Sequence, residues 1–123
     1  MTGNPVGWFE IYVQDMERAK RFYEAMLGVA LTKLNDGQPL MWAFPQSFTQ
    51  YGAAGALAYM EGMPSGGNST LVYFSCEDCA VEASRIPAAG GQLFKEKFSI
   101  GQYGHIALAI DTEGNMFGLH SMK

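Results

Sequence analysis

The chain is poor in the residues that grip metal ions and phosphates. It carries two cysteines, two histidines and eight Lys plus Arg among 123 residues. The basic residues are scattered singly, so no stripe exists to neutralise a phosphate backbone, and nucleic acid is not expected as a partner. The cysteines fall together as Cys76-Glu77-Asp78-Cys79. A zinc site would need two further ligands, and neither His105 nor His120 sits in a local knuckle. The plainer reading makes Cys76 the end of a buried strand and places Cys79 in the first helical turn after an Asp78 cap. No apolar run is long enough to span a bilayer, and the opening residues lack the basic-then-apolar pattern of a secretory signal, so no membrane association and a cytoplasmic location are expected. At this length one compact unit is expected, since two independent cores would be too small to stand alone.

What is present is a repeat. One unit begins at Gly7-Trp8-Phe9-Glu10-Ile11-Tyr12-Val13-Gln14-Asp15 and runs through an amphipathic helix to Gly28; the other begins at Thr70-Leu71-Val72-Tyr73-Phe74-Ser75-Cys76-Glu77-Asp78 and runs to Gly91. Self-similarity of this period decides architecture before any single residue does. It predicts one domain of two modules, about residues 5–61 and 69–123, joined by a turn-rich linker at 62–68.

Within each first strand, side chains alternate between two faces. Phe9, Ile11 and Val13 should meet the helix, whose stripe is Ala19, Phe22, Tyr23, Met26 and Leu27, with Asp15 as N-cap and Gly28 as the left-handed stop. Trp8, Glu10 and Tyr12 take the opposite face. In the second unit Val72, Phe74 and Cys76 should meet a helix over roughly 78–86, with Val81, Ala83 and Ile86 inward, closed by Pro87, and Gly90-Gly91 turning the chain out. Leu71, Tyr73 and Ser75 face the other way. Three extended pieces follow each helix, near 29–34, 39–45 and 54–60, and near 92–97, 105–110 and 116–121.

The last hairpin can be read in register. Asp111-Thr112-Glu113-Gly114-Asn115 fits a three-residue loop with Gly114 at positive φ, pairing Leu108 with Gly118 and Ile106 with His120. A two-residue loop would instead bring His105 beside His120, because a slip of one residue reverses every face.

The helix pattern Asp15, Ala19, Phe22, Tyr23, Leu27, Gly28 and the terminal Asp111-Thr112-Glu113-Gly114-Asn115 hairpin with its following strand resemble the vicinal oxygen chelate superfamily. That superfamily includes glyoxalase I, fosfomycin-resistance enzymes, extradiol dioxygenases and bleomycin-binding resistance proteins. The resemblance implies an α+β fold in which two β-α-β-β-β modules form curved mixed sheets enclosing a half-open barrel cavity, and it implies a homodimer. In metal-dependent members, ligands come from each module's first and last strands. The matching positions here are Trp8, Leu71, Ala56 and Gly118. None offers a donor suited to a divalent cation. No metal and no cofactor are therefore expected.

The expected ligand site is the concave face, with Trp8, Tyr12, Tyr73, Ser75, Ile106, Leu108, Met116 and Gly118 around a small, apolar or aromatic molecule. Small residues at Ala56 and Gly118 should leave space. Glu10, a carboxylate among aromatic neighbours, should be desolvated and more basic than usual, as a general acid or base requires, with His120 as its partner. Two other readings compete: a metal-dependent lyase or isomerase of the lactoylglutathione lyase type using Glu10, His105 and His120 as displaced ligands, and a structural module with no pocket.

Overall fold

The computed structural model describes residues 3–123. In chain order the elements are β1 (Trp8–Tyr12), α1 (Met16–Leu27), β2 (Thr32–Lys33), β3 (Leu40–Ala43), β4 (Ala54–Tyr59), β5 (Tyr73–Ser75), α2 (Cys79–Ala89), β6 (Gln92–Ser99), β7 (His105–Ile110) and β8 (Met116–Ser121). A short 3-10 turn, Gly101–Tyr103, joins β6 to β7. The strands make two mixed four-stranded sheets, ordered β1-β4-β3-β2 and β5-β8-β7-β6. In each, the first strand lies parallel to the last and the other pairings are antiparallel. The duplication is thus two β-α-β-β-β units with open, unclosed sheets.

Local chemistry accounts for the helix limits. The Asp15 side chain accepts from the Arg18 N–H and caps α1; Gly28, at φ 70°, ends it by returning its N–H to Glu24. Asp78 caps α2 through the Ala80 N–H. Here the structure corrects the sequence reading. The helix does not close at Pro87 but runs through it to Ala89, and Gly90 is the left-handed stop. Pro87 lies in the last turn, where its missing N–H removes a single intrahelical bond, and the N–H groups of Gly90 and Gly91 turn back to Pro87 and Ile86. Gly91 serves packing instead: a Cβ there would stand 2.6 Å from the Phe22 ring and 2.8 Å from the Ile110 carbonyl oxygen. Val81 is 47% exposed, against the inward position expected for it. The buried residues of α2 are Cys79, Ala83 and Ile86, a stripe at steps of four and three that leaves Val81 on the far side. The first of the extended pieces, expected over 29–34, is a strand only at Thr32–Lys33, and Leu71 precedes β5 rather than belonging to it.

The helices lie against each other and share one core with the helix-facing sides of both sheets. Arg85 of α2 donates to the Met26 carbonyl at the end of α1. At the centre six aromatic rings, Phe9, Phe22, Tyr23, Phe44, Phe74 and Phe117, form a connected set with centroids 4.9–6.3 Å apart, many of them edge to face. Four come from the first unit and two from the second. Neither unit buries this surface alone.

A polar lock closes the same seam. The β7–β8 hairpin places Glu113, its side chain fully buried, at the start of α1, where it accepts from the backbone N–H of Gln14 and Asp15, from Nε and Nη2 of Arg18 and from the Thr112 hydroxyl. Burial alone would raise its pKa, but these donors overcome that and hold it at about 2. Beside it the fully buried Tyr23 hydroxyl donates to Asp111. Burial, then the Asp111 charge, push the phenol well above its ordinary 10. Burial also raises Asp111, against the hydrogen bonds it accepts from Tyr23 and the hairpin backbone.

Candidate functional site

Register decides which side chains share the faces turned away from the helices. Glu10 pairs with Ala56 and Tyr12 with Ala58 across β1 and β4; Tyr73 pairs with Gly118 and Ser75 with His120 across β5 and β8; Leu108 meets Gly118 and Ile106 meets His120 across β7 and β8. The three-residue loop is the one that forms, with Gly114 at φ 81°. His105 pairs with Ser121 and therefore points to the opposite face from His120. The two histidines cannot join in one ligand set with Glu10.

Ala56 and Gly118 do not open the space expected of them. Ala56 is fully buried. A Cβ at Gly118 would fall 2.3 Å from the Tyr73 ring, so that ring already covers the glycine. Indole, isobutyl, methyl and hydrogen stand at Trp8, Leu71, Ala56 and Gly118, and none is a donor to a divalent cation. Among the described residues no group of three or more His, Cys, Asp or Glu is arranged to hold a metal ion. These residues do not fit the metal that the resemblance would bring.

One open space lies beside β1, at the seam between the units. A cleft of about 400 Å³ is walled by Glu10, Tyr12 and Phe9 of β1, by the approach to β5 (Asn68, Thr70, Val72) and by Asn115, Met116 and Phe117 at the start of β8, with Tyr23 behind. Of the residues expected at the site, Glu10, Tyr12 and Met116 line it. Trp8, Tyr73, Ser75, Ile106, Leu108, Gly118 and His120 lie on the helix-averted faces outside it. Asn68 and Thr70 had escaped sequence reasoning because they sit in turns and approaches without periodicity, while Val72 was assigned to the helix side and Asn115 to the hairpin, not to the site. The one signal available was the pair of asparagines, residues that turns use for side-chain to backbone bonds. Asn68 indeed bonds Met116 and Thr70, and Asn115 ties Gly66 to the Tyr12 carbonyl.

On β1 three alternate side chains form a ladder. The Trp8 indole N–H donates to Glu10 Oε2 at 3.1 Å and the Tyr12 hydroxyl donates to Glu10 Oε1 at 2.9 Å. The period of two puts all three on one face, so the carboxylate is held from both sides. That bond to Glu10, followed by burial and the Glu10 charge, raises the Tyr12 phenol above 10. Glu10 itself is exposed, so the desolvation anticipated for it is not found in the single chain.

His120 and the cysteines are committed elsewhere. His120 Nε2 lies 2.6 Å from the Tyr103 carbonyl oxygen, and because a carbonyl only accepts, that nitrogen carries the hydrogen. The ring thereby ties down the turn between β6 and β7. It does not line the cleft with Glu10. Both thiols are free, and burial, reinforced by the charge of Glu82, pushes Cys76 up to about 12. A thiol so protonated is a poor nucleophile and ligand.

Comparison with known proteins agrees with this geometry. The model of the Glyoxalase/Bleomycin resistance protein/Dioxygenase superfamily matches residues 6–119. Proteins from Mycobacterium tuberculosis and Mycobacterium bovis, each described as "Putative glyoxylase CFP32", are 28% identical over 113 residues, or 91% of this chain. The chain spans 42% of the length of those curated relatives. Among solved structures, TnmS3, an antibiotic binding protein from Streptomyces sp. CB03234, superposes with a TM-score of 0.70 at 24% identity, covering 98% of both chains. A mutant of glyoxalase I from Zea mays superposes with a TM-score of 0.74 at 22% identity, over 96% of this chain and 46% of the plant enzyme. At such identities the structures share the fold.

Proposed function

Since this chain belongs to the Glyoxalase/Bleomycin resistance protein/Dioxygenase superfamily, we propose that it is a member working without a metal ion, which binds a small, largely apolar or aromatic molecule at the cleft beside β1. The observation that carries this reading is the cleft itself: about 400 Å³, with Phe9, Ile11, Tyr12, Val72, Met116 and Phe117 on its wall beside polar Asn68, Ser69, Thr70 and Asn115, and one carboxylate held in place there. The volume is that of a small-molecule site, and the rings of Phe9 and Tyr12 give it an apolar wall beside the polar one. The solved antibiotic binding protein of the same fold supports binding as the role. Against the metal-dependent lyase reading stand the four donor-free positions and the opposed histidines. If proton transfer accompanies binding, Glu10 is the group on the wall able to take the proton.

The same reading includes a homodimer. The face it would use is the helix-averted one, where Trp8 and Tyr73 are 40% and 44% exposed and leave aromatic surface for a second copy to cover. A reducing, cytoplasmic setting fits the two free thiols.

The test uses Trp8, whose indole touches Glu10, as reporter. In protein carrying Trp42→Phe, titration with a library of aromatic compounds should give saturable changes in Trp8 fluorescence; an unresponsive signal across the library refutes the binding role. Elemental analysis of protein prepared without chelator should find no stoichiometric Ni, Zn or Mn, and finding one would overturn the metal-free reading. Sedimentation velocity should show a dimer, and a monomer at all concentrations would remove that part.

A further inference from the structure

The charge on the cleft wall specifies the ligand further. Of the residues lining it, Glu10 alone is charged, and no Lys, Arg or His faces the space. Its carboxylate takes part in none of the ion pairs found among the described residues, which join Arg18 to Glu113, Lys33 to Asp36, Lys97 to Asp78 and Lys123 to Glu77. Neutral donors hold it instead. The Trp8 N–H and the Tyr12 hydroxyl each occupy one lone pair of a different oxygen, which fixes the carboxylate in place and leaves further lone pairs on both oxygens. The charge is positioned but not cancelled.

The remaining polar groups of the wall are spent or neutral. The Asn68 amide donates to the carbonyls of Thr70 and Met116, and the Asn115 amide donates to the Tyr12 carbonyl and to Asp111. An anion entering the cleft would meet the Glu10 charge with no cationic side chain on the wall to receive it. A cation would meet a two-oxygen acceptor beside the rings of Tyr12 and Phe9, whose faces attract positive charge. The formal net charge of −4 adds a long-range field of the same preference.

We propose that the cleft is a site for a flat organic cation, an amidinium, guanidinium or protonated amine carried on an apolar body, with Glu10 as the counter-charge and Tyr12 as the ring beside it. This rests on the reading of the cleft as a ligand site, and the test separates the two. Benzamidine, benzamide and benzoate have nearly the same shape and differ in charge. Each is titrated into the 123-residue chain while backbone amide signals from residues 9–12, 68–72 and 115–117 are followed by NMR. Benzamidine should bind on the order of tenfold more tightly than benzamide, as a hydrogen bond to a charged group exceeds a neutral one, and benzoate should be the weakest of the three. The advantage of benzamidine should vanish in Glu10→Gln and shrink as salt is added. It should survive in Glu96→Gln, which removes a carboxylate that does not line the cleft. Equal binding of benzamidine and benzamide by the unmodified protein would overturn the cation assignment while the binding role stands. No response of these amides to any of the three would overturn both.

Discussion

Replacing Glu113 by glutamine keeps the size of the side chain and removes its charge, at the one point where the second unit's hairpin meets the start of α1. The carboxylate is buried and receives five hydrogen bonds, two of them from the guanidinium of Arg18 at 2.7 and 2.9 Å. A folded-state pKa of about 2 against an ordinary 4.5 corresponds to roughly 3 kcal/mol of stability. Arg18 is itself about half exposed and screened by solvent, which brings a fair figure down to about 2 kcal/mol. The sign follows from the direction of the shift. A depressed folded pKa gives stabilisation that is fully present above about pH 4.5 and is lost as pH falls toward 2. Asp111 runs the other way, since burial raises it, but it is common to both proteins and cancels in their difference. Urea unfolding of the parent and Glu113→Gln should therefore differ by about 2 kcal/mol near neutral pH, roughly 8 °C in Tm. The gap should close as pH approaches 2, where a protonated Glu113 is nearly isosteric with glutamine. A gap independent of pH would show that the ionised carboxylate is not what locks the units, and no gap at neutral pH would refute the lock altogether.

Three further outcomes follow from close contacts and from one thiol. Gly91→Ala drives a Cβ to within 2.6 Å of the fully buried Phe22 ring and 2.8 Å of a backbone oxygen, neither free to yield, so it should lower stability by about 3 kcal/mol in thermal or urea unfolding, and a neutral effect would contradict that packing. Gly118→Ala first meets the half-exposed Tyr73 ring, so it should cost about 1 to 2 kcal/mol, and Tyr73→Ala in the same chain should recover most of that; simple additivity would mean the ring does not lie over the glycine. With its thiol raised to about 12, Cys76 should resist alkylation by iodoacetamide near pH 8 in the folded protein and react once urea unfolds it, and rapid labelling of the native state, located by peptide mass, would reverse the inert assignment.

Much of the fold was legible because it is written in local chemistry. Asp15 and Gly28 bracket α1 as the caps require, and the hairpin register followed from a five-residue string with one glycine able to take positive φ. The limits of α2 were misjudged for a physical reason: a proline in the last turn removes a single intrahelical bond, so it need not stop the helix. Two features were out of reach. Glu113 acts on residues 95 to 99 positions away, and periodicity says nothing at such separations. The cleft lies at a seam whose wall includes turn residues, so the strand alternation that located Glu10, Tyr12 and Met116 on one face could not show which of their neighbours leave room. Smallness was a poor guide to space. Gly118 is small because Tyr73 lies across it, and Gly91 because Phe22 does.

The two units divide their labour along the faces that sequence alternation defines. Setting Asp15 on Asp78 superposes Glu10 on Tyr73, and register confirms the match independently, because Glu10 pairs with Ala56 where Tyr73 pairs with Gly118. Toward the helices the copies stay alike in kind, with Ile11 and Val13 answered by Phe74 and Cys76, since each must pack a helix against a sheet. Away from the helices they part. One copy sets a carboxylate over an alanine and braces it with an indole and a phenol; the other lays a phenol ring over a glycine. The shared core depends on both copies, so divergence there would be penalised in both, whereas a charge on one averted face disturbs nothing in the other. The charge on the cleft wall therefore comes from the first unit, and the second contributes to the cleft through its turns, through Val72 and Met116, and through the hairpin that holds the two together.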